Sequence, residues 1–355
     1  MRKNRCFILF IKPCIYYLSA MILVTGATGL VGSHLLYNLC KTEDRIRATK
    51  RDKSNLLMVK KIFSYYTDEV EKLFEKIEWV EADLLNISEL ESPFRGITKV
   101  YHCAAWVNFN PRHKYSMIAN NVNSTANIVN LCLAHKVKKL CHVSSVAAIG
   151  RNENEPIVNE NTPWTDSPEN SNYAISKYNS ELEVWRGIEE GLNAVIVNPS
   201  IILGPGAWKK GSSVLFHKIA TGMPFYTKGT NGFVDVRDVA KVMQELMESS
   251  INSERFILCS ESIPFKQTFD YIADALSKKR AHIKVGAFLN ALGWRLAKII
   301  SVISRKAPML TKETARAGNG ISIYENHKIK KALNFEFISV EQSCNEFSKL
   351  YKQDF

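Results

Sequence analysis

No CxxC pair occurs in this 355-residue chain. Its eight cysteines, at 6, 14, 40, 103, 132, 141, 259 and 344, are scattered. That spacing speaks against a disulfide framework and a structural zinc site, and for buried thiols in a reducing, cytoplasmic compartment. Glycine and proline are sparse, at 17 and 11, while hydrophobic residues reach 46% and charged residues 23%. A disordered chain, a collagen-like chain and a low-complexity linker are thereby excluded. No internal repeat is evident. A single hydrophobic core stops growing at roughly 250 to 300 residues. The length therefore implies one large domain with a satellite lobe, or two domains.

Acidic residues are missing from two places, and these account for the formal net charge of +12. Residues 1–21 hold Arg2, Lys3, Arg5 and Lys12 with no acid, and residues 278–316 hold ten basic groups against Glu313 alone. The rest of the chain is close to neutral. With no zinc-finger spacing and no helix-turn-helix, a nucleic-acid partner is not expected. In the leader the apolar run 6–11 is cut by Lys12 and Pro13. It falls far short of the roughly 20 residues that span a bilayer. Residues 1–20 are read either as a start-site extension ahead of Met21 or as a membrane-interacting leader.

From Met21 the pattern becomes regular. A β-rich run at 22–24 leads into TGATGLVG at 25–32, then a helix over 33–41 with Leu35, Leu36 and Leu39 on one face. A strand is expected over 45–51, a charged helical stretch to about 77, and a strand at 79–82 ending at Asp83. Further strands are expected at 100–105 and 139–144, with a helix over 121–135 between them. A helix over 173–187 and a strand at 193–197 follow, the latter running into a loop at 199–206. This alternation predicts an α/β fold, a parallel sheet covered by helices. Beyond it lie turns at 222–224 and 229–232, a helix at 269–279, and an amphipathic or buried helix at 287–304 ended by Pro308. These predict a smaller C-terminal lobe.

The strand–turn–helix order gives the glycines their meaning. Gly26, Gly29 and Gly32 permit a tight turn and a close backbone approach, and the following helix offers free N–H groups to a pyrophosphate. A bare glycine repeat would be an ordinary turn; in this context it predicts dinucleotide binding. Arg51, 25 residues past Gly26, stands where an acid would bind a ribose diol. With Lys50 or Lys53 it can pair with a ribose phosphate, which favours NADP(H), while Asp52 keeps NAD(H) open. Asp83 is a candidate for the adenine edge.

Tyr173 and Lys177 are four apart on one helical face. A free phenol has a pKa near 10, too high for an efficient base at neutral pH, and a nearby ammonium lowers it. Lys177 can also hold the nicotinamide ribose hydroxyls. Alone, such a pair is a common surface coincidence. Its weight comes from Ser145, at a strand end 28 residues earlier, whose hydroxyl can hold a substrate oxygen beside the tyrosine. Ser144 is the fallback. His102 and His142 are read as packed side chains. No Gly-x-Ser-x-Gly elbow surrounds Ser145, which disfavours a hydrolase.

Together these motifs resemble the extended short-chain dehydrogenase/reductase family. The residues are TGATGLVG at 25–32, HCAA at 102–105, NVNST at 121–125, YAISK at 173–177 and VDVRDVA at 234–240. The resemblance implies a Rossmann-type parallel sheet with a smaller C-terminal substrate lobe. It implies a catalytic set of Ser145, Tyr173, Lys177 and Asn121, the last supporting the lysine and an ordered water. For the cofactor it implies Gly26, Thr28, Gly29, Leu30, Val31 and Gly32 around the pyrophosphate, and Arg51, Asp83 and Leu84 toward the adenosine. Ala104, Ala105, Tyr173, Lys177 and Pro199 would lie toward the nicotinamide. Ser124 departs from the glycine usual in its motif, which bears on local packing.

Within that family the chain looks most like dihydroflavonol reductases and 3-beta-hydroxysteroid dehydrogenase-like proteins. This implies NAD(P)-dependent reduction of a carbonyl or oxidation of a secondary alcohol. The alternative is an NAD-dependent nucleotide-sugar epimerase. A dehydratase is disfavoured because Val146 and Ala147 follow Ser145 where an acidic pair is usual. A non-catalytic NADP(H)-binding regulatory protein is the remaining class. Residues 21–200 are expected to form mainly the dinucleotide-binding domain and 201–345 mainly the substrate lobe. A segment near 233–240 would return to the first domain, with 346–355 as a tail. A homodimer is compatible with the family. Weak peripheral membrane contact through Arg295, Lys298, Arg305 and Lys306 is the second reading of the 287–304 helix.

Overall fold

Short aliphatic and β-branched runs separated by amphipathic helices dictate alternating strands and helices, and that is the architecture. A computed structural model describes residues 21–108, 110–151, 155–286, 294, 316 and 318–355. The leader at 1–20 and, apart from Trp294, the helix expected at 287–304 lie outside the described residues, as do Arg295, Lys298, Arg305, Lys306 and Pro308.

The chain begins with β1 (Met21–Thr25), α1 (Leu30–Thr42), β2 (Ile46–Lys50), α2 (Leu56–Ser64), α3 (Val70–Phe74), β3 (Ile77–Glu81), α4 (Ile87–Phe94) and β4 (Ile97–His102). Next come α5 (Lys114–Ala134), β5 (Lys139–Val143), β6 (Ile157–Val158), α6 (Asn172–Glu189), β7 (Ala194–Pro199), β8 (Ile201–Leu203), α7 (Val214–Ala220), β9 (Phe225–Tyr226) and β10 (Thr230–Asp235). The described remainder holds α8 (Val236–Glu248), β11 (Glu254–Leu258), β12 (Glu261–Pro264), α9 (Phe265–Ala275), β13 (Ile283–Lys284), β14 (Ile323–Tyr324), α10 (His327–Leu333) and α11 (Val340–Asp354).

Seven strands form one sheet in the order β3-β2-β1-β4-β5-β7-β11, every pairing parallel. Parallel strands are covered on both faces, so their residues are apolar on both sides. Ile22 and Val24 of β1 face a core with Leu35, Leu39, Met243 and Leu246, while Leu23 between them faces Ile128, Val184 and Leu140. This is the expected α/β, Rossmann-type sheet. Strand order reverses between β1 and β4, and in such sheets ligands bind outside the carboxyl ends at that point. The lobe has its own core, in which Trp208, Phe216, Phe233 and Ile272 meet Val340, Cys344 and Phe347.

Several boundaries differ from expectation. The helical stretch placed up to 77 is two helices, α2 and α3, and Ile77 instead opens β3. Helix α5 starts at Lys114, seven residues before 121, and α9 runs over Phe265–Ala275 rather than 269–279. The returning segment is longer than 233–240: α8 packs on α1 and β11 completes the sheet. The stretch 346–355 is no tail. Val340, Cys344, Phe347 and Tyr351 recur at helical spacing, and that buried stripe seats α11 in the lobe. Asp354, one residue from the end, accepts from Trp208 Nε1 at 2.7 Å, pairs with Lys61 Nζ at 2.7 Å, and accepts from Tyr65 Oη. These contacts tie α11 to α2 of the sheet domain. Among the described residues no helix is long and apolar enough to cross a membrane.

Candidate active site

Parallel pairing puts the carboxyl ends of all seven strands on one edge, so the strand order arranges the loops that follow. Along that edge come Asp83 after β3, Arg51 after β2, Gly26 after β1, Ala104 after β4, Ser145 after β5 and Pro199 closing β7.

The turn after β1 is shaped by contacts that only glycine tolerates. Gly26 has φ +66°, and a Cβ there would lie 2.5 Å from the Ala104 amide nitrogen. A Cβ on Gly32 would lie 2.3 Å from the Gly26 carbonyl oxygen. Gly29 caps α1 with no side-chain hydrogen bond, and no acid occupies the first turn. The leading N–H groups of a helix have no intrahelical acceptor, and they form an anion site. A backbone cradle against a helix N-terminus at the switch point fits a dinucleotide pyrophosphate. Thr28, Leu30 and Val31 belong to this turn and the first turn of α1.

Further along the edge, Lys50 is engaged with Glu81 at 2.9 Å and Arg47 with Glu78 at 3.0 Å. Arg51 and Lys53 are exposed, and among the described residues no ion pair engages either. Asp52 is exposed beside them. Asp83 accepts from the Leu85 amide at 3.0 Å, and the Leu84 carbonyl accepts from Asn127 Nδ2 at 2.9 Å.

Across the switch point, β5 and α6 converge. Ser145 caps a short 3-10 turn through the Ala147 amide at 3.1 Å, and its hydroxyl is hydrogen-bonded to Tyr173. Burial raises the Tyr173 phenol above its ordinary value, and the Ser145 contact works the other way. Lys177 is buried one helical turn on, where Nζ donates to the Val143 carbonyl at 2.9 Å. Burial lowers it to about 8, opposed by Glu181 and Cys103. The structure thus brings Ser145, Tyr173 and Lys177 together. Ser144, the fallback, is turned away, its hydroxyl donating to the Glu181 carboxylate at 2.6 Å.

Asn121 of α5 ties the loop after β4 to α6. It accepts from the Trp106 amide at 2.7 Å and donates to the Trp106 carbonyl at 3.0 Å and Ser176 Oγ at 2.8 Å. Its contacts fix the loop after Ala104 and Ala105, while Lys177 takes its partner from β5. His102 is buried between Thr25 Oγ1 at 2.7 Å and Thr125 Oγ1 at 3.1 Å. Burial, with the Lys177 charge, lowers it to about 3. His142 packs against it with ring centroids 5.1 Å apart and tilted by 33°, and is driven well below its usual value, first by burial. Both rings are therefore neutral at physiological pH.

Sequence reasoning missed Glu181. It lies four residues beyond Lys177, buried, on the same face of α6. The signal was available: the stripe Tyr173, Lys177, Glu181 is polar, whereas Ile175, Tyr178, Leu182 and Trp185 form the helix's apolar stripe. A polar stripe turned inward marks a face that serves chemistry rather than packing.

Residues 22–259 match the NAD dependent epimerase/dehydratase family. The chain belongs to that family. The relatives it matches include a putative dihydroflavonol 4-reductase and an anthocyanidin reductase, and this chain is an NAD(P)-dependent enzyme of the oxidoreductase kind. It is 27% identical over 269 residues to sterol demethylase protein B of Methylococcus capsulatus, covering 74% of this chain and 76% of that protein. It is 30% identical over 258 residues to tetraketide alpha-pyrone reductase 2 of Arabidopsis thaliana, covering 68% and 78%. The crystal structure of gox2253 superposes with a TM-score of 0.78 at 26% identity, covering 94% of this chain and 98% of that one.

Proposed function

We propose that this enzyme carries out NADPH-dependent reduction of a carbonyl compound, or the reverse oxidation of a secondary alcohol, with Tyr173 as its acid/base. The observation that carries the reading is the meeting of Ser145, Tyr173 and Lys177 beside the Gly26–Ala104 cradle. The cofactor supplies the redox equivalent when bound. Gly26, Gly29, Gly32 and the N-terminus of α1 hold its pyrophosphate, Arg51 with Lys53 its ribose phosphate, and Asp83 and Leu84 its adenine side. Ala104, Ala105 and Pro199 flank the nicotinamide. Ser145 holds the substrate oxygen, and Tyr173 gives that oxygen its proton in reduction. Lys177 steadies the phenolate left behind and holds ribose hydroxyls.

The deciding experiment supplies NADPH or NADH and a panel of carbonyl compounds to purified protein and follows nicotinamide absorbance. Substrate-dependent NADPH oxidation is expected. NAD(H) that co-purifies, with no net oxidation by any carbonyl and conversion of a nucleotide sugar, would establish the epimerase alternative instead.

Arg51 gives the cofactor preference its own test. An arginine–phosphate contact contributes about 1.5–3 kcal/mol. Arg51→Ala should therefore raise KM for NADPH roughly 10- to 100-fold and leave NADH within about twofold. Equal loss with both cofactors would mean that Arg51 reads no phosphate.

A further inference from the structure

Behind Ser145 and Lys177 lies a buried carboxylate with four donors. Glu181 Oε2 accepts from Ser144 Oγ at 2.6 Å and Asn198 Nδ2 at 2.8 Å. Its Oε1 accepts from Trp185 Nε1 at 3.2 Å and Arg255 Nη1 at 3.2 Å. Asn198 Nδ2 also donates to the Ser145 carbonyl at 3.0 Å. The end of β5 is thus held at three successive residues: Val143 by Lys177, Ser144 by Glu181, and Ser145 by Asn198. Two of those holds run through one carboxylate. Arg255 extends the network to β11, at the far edge of the sheet, and its Nε donates to the Glu160 carbonyl at 2.9 Å. That anchors the loop leading toward Tyr173.

Deeply buried charges cost desolvation, and replacing an ion pair with apolar side chains is often neutral or stabilising. A buried glutamate with every lone pair engaged beside the candidate chemistry therefore calls for a role other than stability. We propose that Glu181, supported by Arg255, is the positioning residue of this site: it holds the Ser144–Ser145 backbone so that the Ser145 hydroxyl meets Tyr173, and it supplies the counter-charge that keeps Lys177 an ammonium.

This rests on the reductase reading for its catalytic consequence, but the effect on Lys177 does not. The groups acting on Lys177 are Glu181 on its own helix, His102 and Cys103 from the β4 end, and His142 from β5. Both histidines are neutral, and burial pushes the Cys103 thiol up to about 12. Among these groups Glu181 is the one carboxylate, buried one helical turn from Lys177 on the same face of α6. Arg255 shares that carboxylate through Oε1 at 3.2 Å, so part of its charge is left to act on Lys177.

The test titrates protein labelled with 15N at the lysine Nζ, without cofactor or substrate, and assigns Lys177 by the signal that Lys177→Arg removes. In Glu181→Gln, which keeps the side chain's size, the Lys177 midpoint should move down by about one pH unit. In parallel, kcat for reduction should fall roughly tenfold with KM for the cofactor nearly unchanged. An unmoved midpoint in a folded variant overturns the proposal, whatever the activity. A moved midpoint in a protein that reduces no carbonyl upholds the counter-charge and removes the reductase reading instead. Should Glu181→Gln not fold, Ser144→Ala cuts one hold and leaves the charge. It should lower kcat several-fold without moving the Lys177 midpoint. Unchanged kcat would overturn the positioning role.

Discussion

Tyr173→Phe is expected to lower kcat for carbonyl reduction roughly a thousandfold, the scale of a positioned general acid. It should leave NADPH binding within a few-fold. Tyr173 is half-buried and its ring stays in place in the variant, so the melting curve should barely change. The pH profile carries a second, independent expectation. The kcat/KM profile reports the free enzyme. Burial raises the phenol, so the proton needed for reduction is present throughout the neutral range. Lys177, lowered to about 8, is the first of the pair to change charge on raising the pH. Reduction should accordingly decline above about pH 8 as the ammonium loses its proton. Stopped-flow traces of NADPH oxidation across pH 6 to 10 read both effects. Activity of Tyr173→Phe within about tenfold of wild type would remove Tyr173 from the chemistry, because that is less than any direct proton transfer contributes.

Gly26→Ala should disable cofactor binding and destabilise the fold together. Two causes coincide at this residue. A left-handed φ of +66° strains any L side chain by about 1–3 kcal/mol. The new Cβ would also lie 2.5–2.6 Å from backbone atoms of Cys103 and Ala104, which cannot rotate away. Relief requires the turns after β1 and β4 to part, and those turns flank the switch point. The expected result is a lower melting temperature and at least a tenfold weaker NADPH titration, followed by nicotinamide fluorescence. Gly211 supplies the control. It has φ +60° with nothing within 4 Å of its would-be Cβ, so Gly211→Ala imposes the strain without the clash. That variant should lose a little stability and keep its cofactor affinity. If Gly26→Ala bound NADPH as tightly as wild type, the cradle would not be the pyrophosphate site.

How much was legible from the chain alone follows the range of the interactions. Gly26, Gly29 and Gly32 act within one turn and the helix after it. Tyr173 and Lys177 act within one helical turn. Such relations are encoded by spacing, and the family resemblance and the parallel sheet were both readable from them.

The rest depended on contacts between distant segments. Spacing alone does not say which neighbour faces the site at a strand end; tertiary packing turned Ser144 to Glu181 and Ser145 to Tyr173. Asn121 reached Trp106 and Ser176 because the loop after β4 folds back over α5. Glu181 and Arg255 are 74 residues apart and meet only because β11 completes the sheet beside β7. The stretch 346–355 looked like a tail because its apolar residues are spread among charged and polar ones, and only the lobe core gives the buried stripe of α11 a partner. Local geometry determined where the glycine turn and the Tyr173–Lys177 pair sit, since one or two turns of backbone suffice for each. Tertiary structure decided what holds them, since a buried charge needs partners that sequence spacing does not name.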